Sequence, residues 1–326
     1  MITTQDNQSQ HNCFDINKKM PKYIRRSILA LSIDDPLLEK KSFDSWADAI
    51  ILDFSKKSNC GWQQDIHSRM PGAINYAAKG GAEIFIRIDN KFATSELEAT
   101  IFPGISGIVL KGAHSAADLQ KISSTLDALE ITRGIHSNSI EIDIEVNNAT
   151  CTWNLLEIAR STARIGIFFL NEQELCINLG IQTQARLPFD PLEYIKSELI
   201  TVATSIGGQA VGMSYPLSLA TESIDAEILR KGILRARDNG FKGAVCPHPD
   251  WIKLCNSGFR PSEEEANYYV KVIEVFAEGI KHGMASVPMD GKMIDVPVDL
   301  RAKVYLEWAK RAKARDAEKQ QAHLKL

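Results

Sequence analysis

Eight short apolar runs, each followed by enough chain for one helix, constrain this sequence more than any other feature. They are SILALSI (27–33), AIILDF (49–54), EIFIRID (83–89), GIVL (107–110), SIEIDIEV (139–146), RIGIFFL (164–170), QAVGM (209–213) and GAVC (243–246). Such near-continuous apolar strands are those buried on both faces, as in parallel sheets covered by helices. The intervening segments carry helical spacing. In SAADLQKISSTLDAL, Leu119, Ile122, Leu126 and Leu129 repeat at three- and four-residue steps. In SIDAEILRKGILRARDNGF, Ile228 or Leu229, Ile233 and Ala236 do the same, and Asn239-Gly240 supplies a stop.

Eight such units favour a closed (β/α)8 TIM barrel over an open doubly wound sheet, and 326 residues are enough to build one. No G-x-G-x-x-G or P-loop pattern follows the first run, which weakens a nucleotide-binding alternative. Residues 1–25 read as a flexible polar leader and 26–282 as the barrel, its eighth helix at 262–281. Residues 283–326 then form a C-terminal lid segment and terminal helix. QTQARLPFDPLEY (182–194), with two prolines, reads as a loop inserted after the sixth strand. The basic stretch WAKRAKARDAEKQQAHLKL predicts a solvated terminal helix rather than a nucleic-acid arm.

A formal net charge of −3 gives no general attraction to nucleic acid or to an anionic membrane. No segment approaches the roughly 18 consecutive apolar residues that span a bilayer, and the first residues lack the apolar stretch of a signal peptide. Six cysteines without a C-x-x-C pair read as buried thiols in a reducing compartment. A cytoplasmic protein is expected.

In a barrel of this kind chemistry gathers at the C-terminal ends of the strands. The second strand ends in Asp53, the third in Arg87 and Asp89, the fourth in Lys111 and the fifth in Asp143 and Glu145. The sixth runs into Asn171, Glu172, Gln173 and Glu174, and the eighth leads to Pro247-His248-Pro249. Carboxylates, an arginine and amides at one mouth suit a hard divalent cation and an anionic substrate. Solvated polar residues at strand-to-loop junctions would give the same pattern. Cys246 and Cys151 read as packing residues, and His248 as a structural hydrogen-bonding group.

The segment NGFKGAVCPHPDWIKLCNSGFRPSEEEANYY (239–269), followed by DGKMIDVPVDLRAK (290–303), resembles the citrate lyase β-subunit-like branch of the HpcH/HpaI aldolase family. Upstream, RRSILALS, DAIILDF, FIRID and GIVL keep the same register, so the likeness spans residues 25 to 312. The resemblance implies a magnesium-dependent barrel enzyme, a trimer or a multiple of trimers. Its members cleave or form a carbon–carbon bond in malyl-, citramalyl- or citryl-thioesters, with coenzyme A the carrier expected here. It also implies that Arg87 stabilises the thioester enolate and that Glu145 is the first Mg2+ ligand. Counting back from Leu179-Gly180 places Glu174 as the second, where the family has an aspartate. Asp295 is implied as a proton-moving carboxylate laid over a neighbouring subunit's site, with Asp290 shaping the Gly291 turn. Asp53, Lys111 and Gln173 are then candidates for binding the acyl-coenzyme A or keto-acid substrate.

The chain departs from that pattern in four further places. Ser55-Lys56 stand where two acids are usual, and Leu110-Lys111-Gly112 where Leu-Pro-Lys is usual. Gly212 replaces an aspartate, and Leu31-Ser32-Ile33 replaces Val-Pro-Gly. Two other readings follow: a catalytically reduced barrel that serves as a ligand-binding or assembly subunit, and an aldolase that acts on a free acid.

Overall fold

The structure, a computed structural model, describes residues 24–54, 61–182, 188–215 and 224–325. All eight expected strands form. They are β1 (Ser27–Ser32), β2 (Ala49–Asp53), β3 (Glu83–Asp89) and β4 (Gly107–Lys111), then β5 (Glu141–Val146), β6 (Ile165–Leu170), β7 (Gln209–Val211) and β8 (Ala244–Cys246). From β1 to β7 each pairs in parallel with the next, and β8 pairs in parallel with β1. Between β7 and β8 the Lys242 amide donates to the Ala210 carbonyl at 3.0 Å, and the Gly212 amide to Gly243 at 2.9 Å. The ring therefore closes as a (β/α)8 TIM barrel.

Strand side chains alternate between faces, so residues two apart share one. On β3, Ile84, Ile86 and Ile88 join the large cluster under the helices. Phe85 faces the other way and packs inside the ring with Ile28, Ile51, Val109, Ile167 and Val211. Below this plug the Arg25 guanidinium donates to Glu83 and Glu141, and the Gln209 side chain bonds both the N–H and the C=O of Arg25. Arg25, assigned from sequence to the leader, is thus part of the barrel floor. Asp143 also differs from its expected place at the mouth. Glu145 is the last buried carboxylate on that face, so Asp143 lies one step deeper, where its Oδ1 accepts the Ile167 amide at 2.8 Å. Burial and the nearby Glu141 push its carboxyl well above the usual range.

The helices of the first half are α1 (Leu38–Ser45), α2 (Trp62–Ala78), α3 (Ala93–Thr100) and α4 (Ala116–Thr132). Then come α5 (Ala149–Trp153), α6 (Leu155–Ala159), α7 (Glu172–Leu179) and α8 (Glu193–Ser205). α9 (Ala226–Asn239) and α10 (Asp250–Gly258) complete the wall. A Ser115–Asp118 capping box starts α4, which buries Leu119, Ile122 and Leu126. α9 buries Leu229 while Ile228 stays exposed, and Gly240 ends it at a φ of 114°. The eighth barrel helix is α10, not the segment 262–281. Its two turns, with Trp251, Ile252 and Cys255 buried, were too short to stand out in the sequence.

The longer α11 (Glu263–Lys281) instead packs along α12 (Val296–Leu324), with the hairpin of β9 (Val287–Met289) and β10 (Lys292–Ile294) between them in the chain. The far half of α12 is not the solvated helix expected. Arg315 donates to the carbonyls of Asp48 and Gly81 at 2.6 and 2.7 Å, and the buried Lys319 ammonium pairs with the Asp48 carboxylate. Arg26 grips the same carboxylate at 2.8 Å and also bonds Asp316. Burial alone would raise the Asp48 carboxyl; Arg26 and Lys319 outweigh it and hold it at about 2. The basic residues of α12 answer a buried acid on the barrel, which composition cannot reveal. Among the described residues no helix is long and apolar enough to cross a membrane.

Candidate active site

At the C-terminal end of the ring lies a cavity of about 250 Å³ whose lining includes Arg87, Phe169, Asn171, Gln173 and Met213. Arg87 reaches it from β3. Its Nη1 donates to Asp53 Oδ2 at 2.8 Å, and its Nε stands 3.1 Å from Glu145 Oε2. Glu145 is almost wholly buried, and its other oxygen accepts the Asn171 side-chain amide at 2.6 Å. Parallel pairing and the two-residue side-chain period bring Asp53, Arg87, Lys111 and Glu145 to one face of the ring at its mouth.

Glu174 sits in the first turn of α7, where Asn171 caps the helix and accepts the Glu174 amide at 3.2 Å. Both carboxylate oxygens are engaged: Lys111 Nζ donates to Oε1 at 2.5 Å and Asn147 Nδ2 to Oε2 at 2.9 Å. Burial raises this carboxyl, but the Lys111 and Asn147 bonds outweigh it and leave it below the usual range. Sequence reasoning passed over Asn147. The Asn147-Asn148 pair after β5 was the available signal, since its second member caps α5. Glu172 also lines the cavity, held from behind by the buried Lys196 at 2.9 Å, which in turn pairs with Asp190 at 2.7 Å.

Among the described residues no three His, Cys, Asp or Glu side chains gather closely enough to hold a metal ion by themselves. The two candidate ligands are Glu145 and Glu174, a pure oxygen set that leaves room for water and substrate oxygens, as magnesium favours. Glu145 Oε2 is buried and accepts no hydrogen bond among the described residues, although Arg87 Nε stands 3.1 Å away. It is an acceptor without a donor, and the pair fits a hard divalent ion. At Glu174 such an ion meets Lys111.

Other departures have local causes. A side chain at Gly212 would strike the Phe241 ring, with carbons as near as 2.6 Å to the added atom. Ser55 and Lys56 lie outside the described residues. The four described cysteines, Cys151, Cys176, Cys246 and Cys255, are free and buried, and burial pushes the Cys151 thiol up to about 12. His248 pairs with Asp250 at 3.1 Å.

Asp295 is not at its own chain's mouth. Asp290 and Gly291, both at positive φ (48° and 75°), form the two-residue turn of the β9–β10 hairpin, as an Asp-Gly pair does in a type I′ turn. Asp295 follows as the N-cap of α12, its Oδ1 accepting the Val298 amide at 3.2 Å. Trp308, 13 residues on, packs against Lys242 at the foot of β8. At the helical rise Asp295 is therefore about 20 Å along α12 from the barrel floor, and no Asp295 atom lines the mouth cavity.

Citrate lyase subunit beta of Leuconostoc mesenteroides is 22% identical over 88% of this chain and 93% of its own. The (3S)-malyl-CoA thioesterase of Cereibacter sphaeroides is 22% identical over 83% and 89%. Among solved structures, CitE of Mycobacterium tuberculosis, in complex with magnesium, acetoacetate and coenzyme A, superposes with a TM-score of 0.62 at 21% identity. That match covers 88% of this chain and 98% of CitE. A citrate lyase of Burkholderia xenovorans reaches 0.70 at 15% identity, over 90% and 95% of the two chains. The sequence profile of the HpcH/HpaI aldolase/citrate lyase family matches residues 26–249. Over most of its length, then, the chain belongs to the HpcH/HpaI aldolase/citrate lyase family.

Proposed function

We propose that this protein is a magnesium-dependent carbon–carbon lyase acting on a 3-hydroxy-carboxyacyl thioester of the malyl-, citramalyl- or citryl-coenzyme A type. The observation that carries the reading is Arg87, an obligate cation lining the mouth cavity and fixed between Asp53 and Glu145. Glu145 and Glu174 would hold the Mg2+, which when bound polarises the oxygen of the hydroxy- or keto-acid half of the substrate.

In the cleavage direction the substrate hydroxyl loses its proton and the bond to the thioester α-carbon breaks. The electron pair passes into the thioester as an enolate, the keto acid departs, and the α-carbon then takes up a proton. Arg87 opposes the charge that develops on the enolate oxygen, a gain realised only as the bond breaks. Asp53 keeps the guanidinium aimed. Gln173 and the cation Lys111 suit the substrate's carboxylate.

Proton transfer falls to Asp295 of a neighbouring copy in a homotrimer or a multiple of it. Support comes from two uncovered apolar surfaces. Met293 and Val296 flank the Asp295 segment, and Trp153 and Ile177 stand exposed on α5 and α7, the helices after β5 and β6. Docking one on the other would bury both and bring the carboxylate to a partner's mouth. Four free buried thiols suit a reducing, cytoplasmic setting.

The test is incubation of purified protein and MgCl2 with malyl-, citramalyl- and citryl-coenzyme A and the corresponding free acids. Release of acetyl-coenzyme A with glyoxylate, pyruvate or oxaloacetate, according to the substrate, is expected. Turnover of free acids alone makes it a free-acid aldolase. Absence of cleavage, condensation and hydrolysis across the panel overturns the proposal in favour of a binding or assembly subunit.

A further inference from the structure

The Glu174 carboxylate already has a cation of the chain's own. Lys111 closes the inward face of β4 and pairs in register with Glu145, and Gly112, at a φ of 75°, turns the chain away directly after it. Its side chain passes over to α7 and sets the ammonium 2.5 Å from Glu174 Oε1. Lys111 thus holds one of the two carboxylates that a divalent ion would join. The other groups on these acids are anchored elsewhere: the Asn171 side chain spans Glu145 and the Glu174 amide, Asn147 on Glu174 Oε2 accepts the Asn148 side-chain amide, and Arg87 is tied to Asp53. Lys111 is a flexible, partly exposed side chain whose ammonium, among the described residues, pairs with Glu174.

We infer that Lys111 is an exchange cation: its ammonium holds the Glu174 carboxylate until a divalent ion takes that place, so the ion binds in competition with it. The inference rests on the metal-dependent reading above. An oxygen that coordinates magnesium at about 2.0–2.1 Å cannot keep an ammonium in the same direction, and two cations sharing one carboxylate repel. The electrostatics of the mouth follow the exchange. Asp53, Glu145 and Glu174 carry three negative charges against the two positive charges of Arg87 and Lys111, a net of −1 that disfavours an anionic substrate. Arrival of a divalent ion turns the same cluster to +1 and frees the Lys111 ammonium, still tethered at the mouth, for the substrate's carboxylate. Ion first and anion second is the order that results.

Manganese, bound by the same oxygen donors, gives a direct readout through the spectrum of free Mn2+, without turnover. Titrations of the wild type, Lys111→Met, Lys111→Gln and Lys111→Arg are compared, each checked for an unchanged thermal midpoint. Both neutral variants are expected to bind Mn2+ tighter than the wild type by about two- to fivefold, the scale of one partly exposed ion pair. Lys111→Arg keeps the wild-type affinity. Neutral variants that bind Mn2+ no tighter than the wild type overturn the inference and leave the metal site standing. Failure of every form to bind Mn2+ overturns the metal reading and the inference with it.

Discussion

Arg87 Nε and Glu145 Oε2 face each other at 3.1 Å without forming a hydrogen bond, while Nη1 of the same guanidinium is bonded to Asp53 at 2.8 Å. The arginine is thus held firmly on one side and loosely on the other. Glu145 is left with an oxygen that neither Arg87 nor Asn171 satisfies. This arrangement suits a cation that must keep its aim toward substrate while the carboxylate beside it takes a second partner.

Replacing Arg87 by Lys keeps a positive charge but loses the planar fork that reaches Asp53 and Glu145 together. Turnover of whichever acyl thioester the wild type accepts should fall by about a hundredfold or more, the usual effect of removing one donor to a developing oxyanion. The loss should appear in kcat with the thermal midpoint little changed, because the lysine ammonium still offsets the charge of the two carboxylates. A kcat within a few-fold of wild type removes Arg87 from the chemistry.

Much of this was legible in the sequence because strands announce themselves locally. Runs such as EIFIRID fix both a strand and its period, and the period alone sends Arg87 inward and Ile86 and Ile88 outward. The contents of the mouth followed from strand ends, although Asp143 was placed one step too high. Long-range pairs were hidden. Nothing near Lys319 says that its partner is Asp48, 271 residues away, and nothing near Lys111 says that its ammonium crosses to Glu174. The Asp290-Gly291 hairpin was available from its dipeptide, but was read only as a turn.

Acid should unfold the protein through buried carboxylates far from the mouth. Asp48, gripped by Arg26 and Lys319 against the cost of burial, is lowered from 3.8 to about 2. Glu130 is lowered from 4.5 to about 2 by Arg164 and the amides of Asn138 and Ile140, again against burial. Folded values below the unfolded ones mean that this stability is complete above about pH 5 and is lost as the pH falls toward 2. Each group should contribute about 2–3 kcal/mol. Urea midpoints measured from pH 6 to pH 2 should decline mainly below pH 4.5. In Asp48→Asn, which strands two buried cations, stability at pH 7 should drop by about 3–5 kcal/mol. A wild-type midpoint flat down to pH 3 contradicts the assignment.

Asp295 is both a helix cap and a candidate proton carrier, and one substitution separates the roles. Asn caps a helix about as well as Asp does, so Asp295→Asn should retain the bond to the Val298 amide and fold normally. Turnover should vanish nonetheless, with Mn2+ affinity unchanged, because the amide cannot carry the proton. Full activity in this variant returns the residue to capping alone.

A partner's Asp295 working at the mouth also predicts rescue between two dead enzymes. Arg87→Lys subunits supply a sound Asp295, and Asp295→Asn subunits a sound Arg87. In a closed ring of three, every mixed trimer contains one mouth that combines the two. One working mouth in three means that purified mixed trimers should regain about a third of the wild-type site activity. Co-expression of the two variants with different tags and purification of mixed assemblies would show it. If Asp295 served its own chain's barrel, no mixture could restore a complete site. Mixed assemblies without activity, made from variants that are each folded and metal-binding, therefore rule out delivery across the interface.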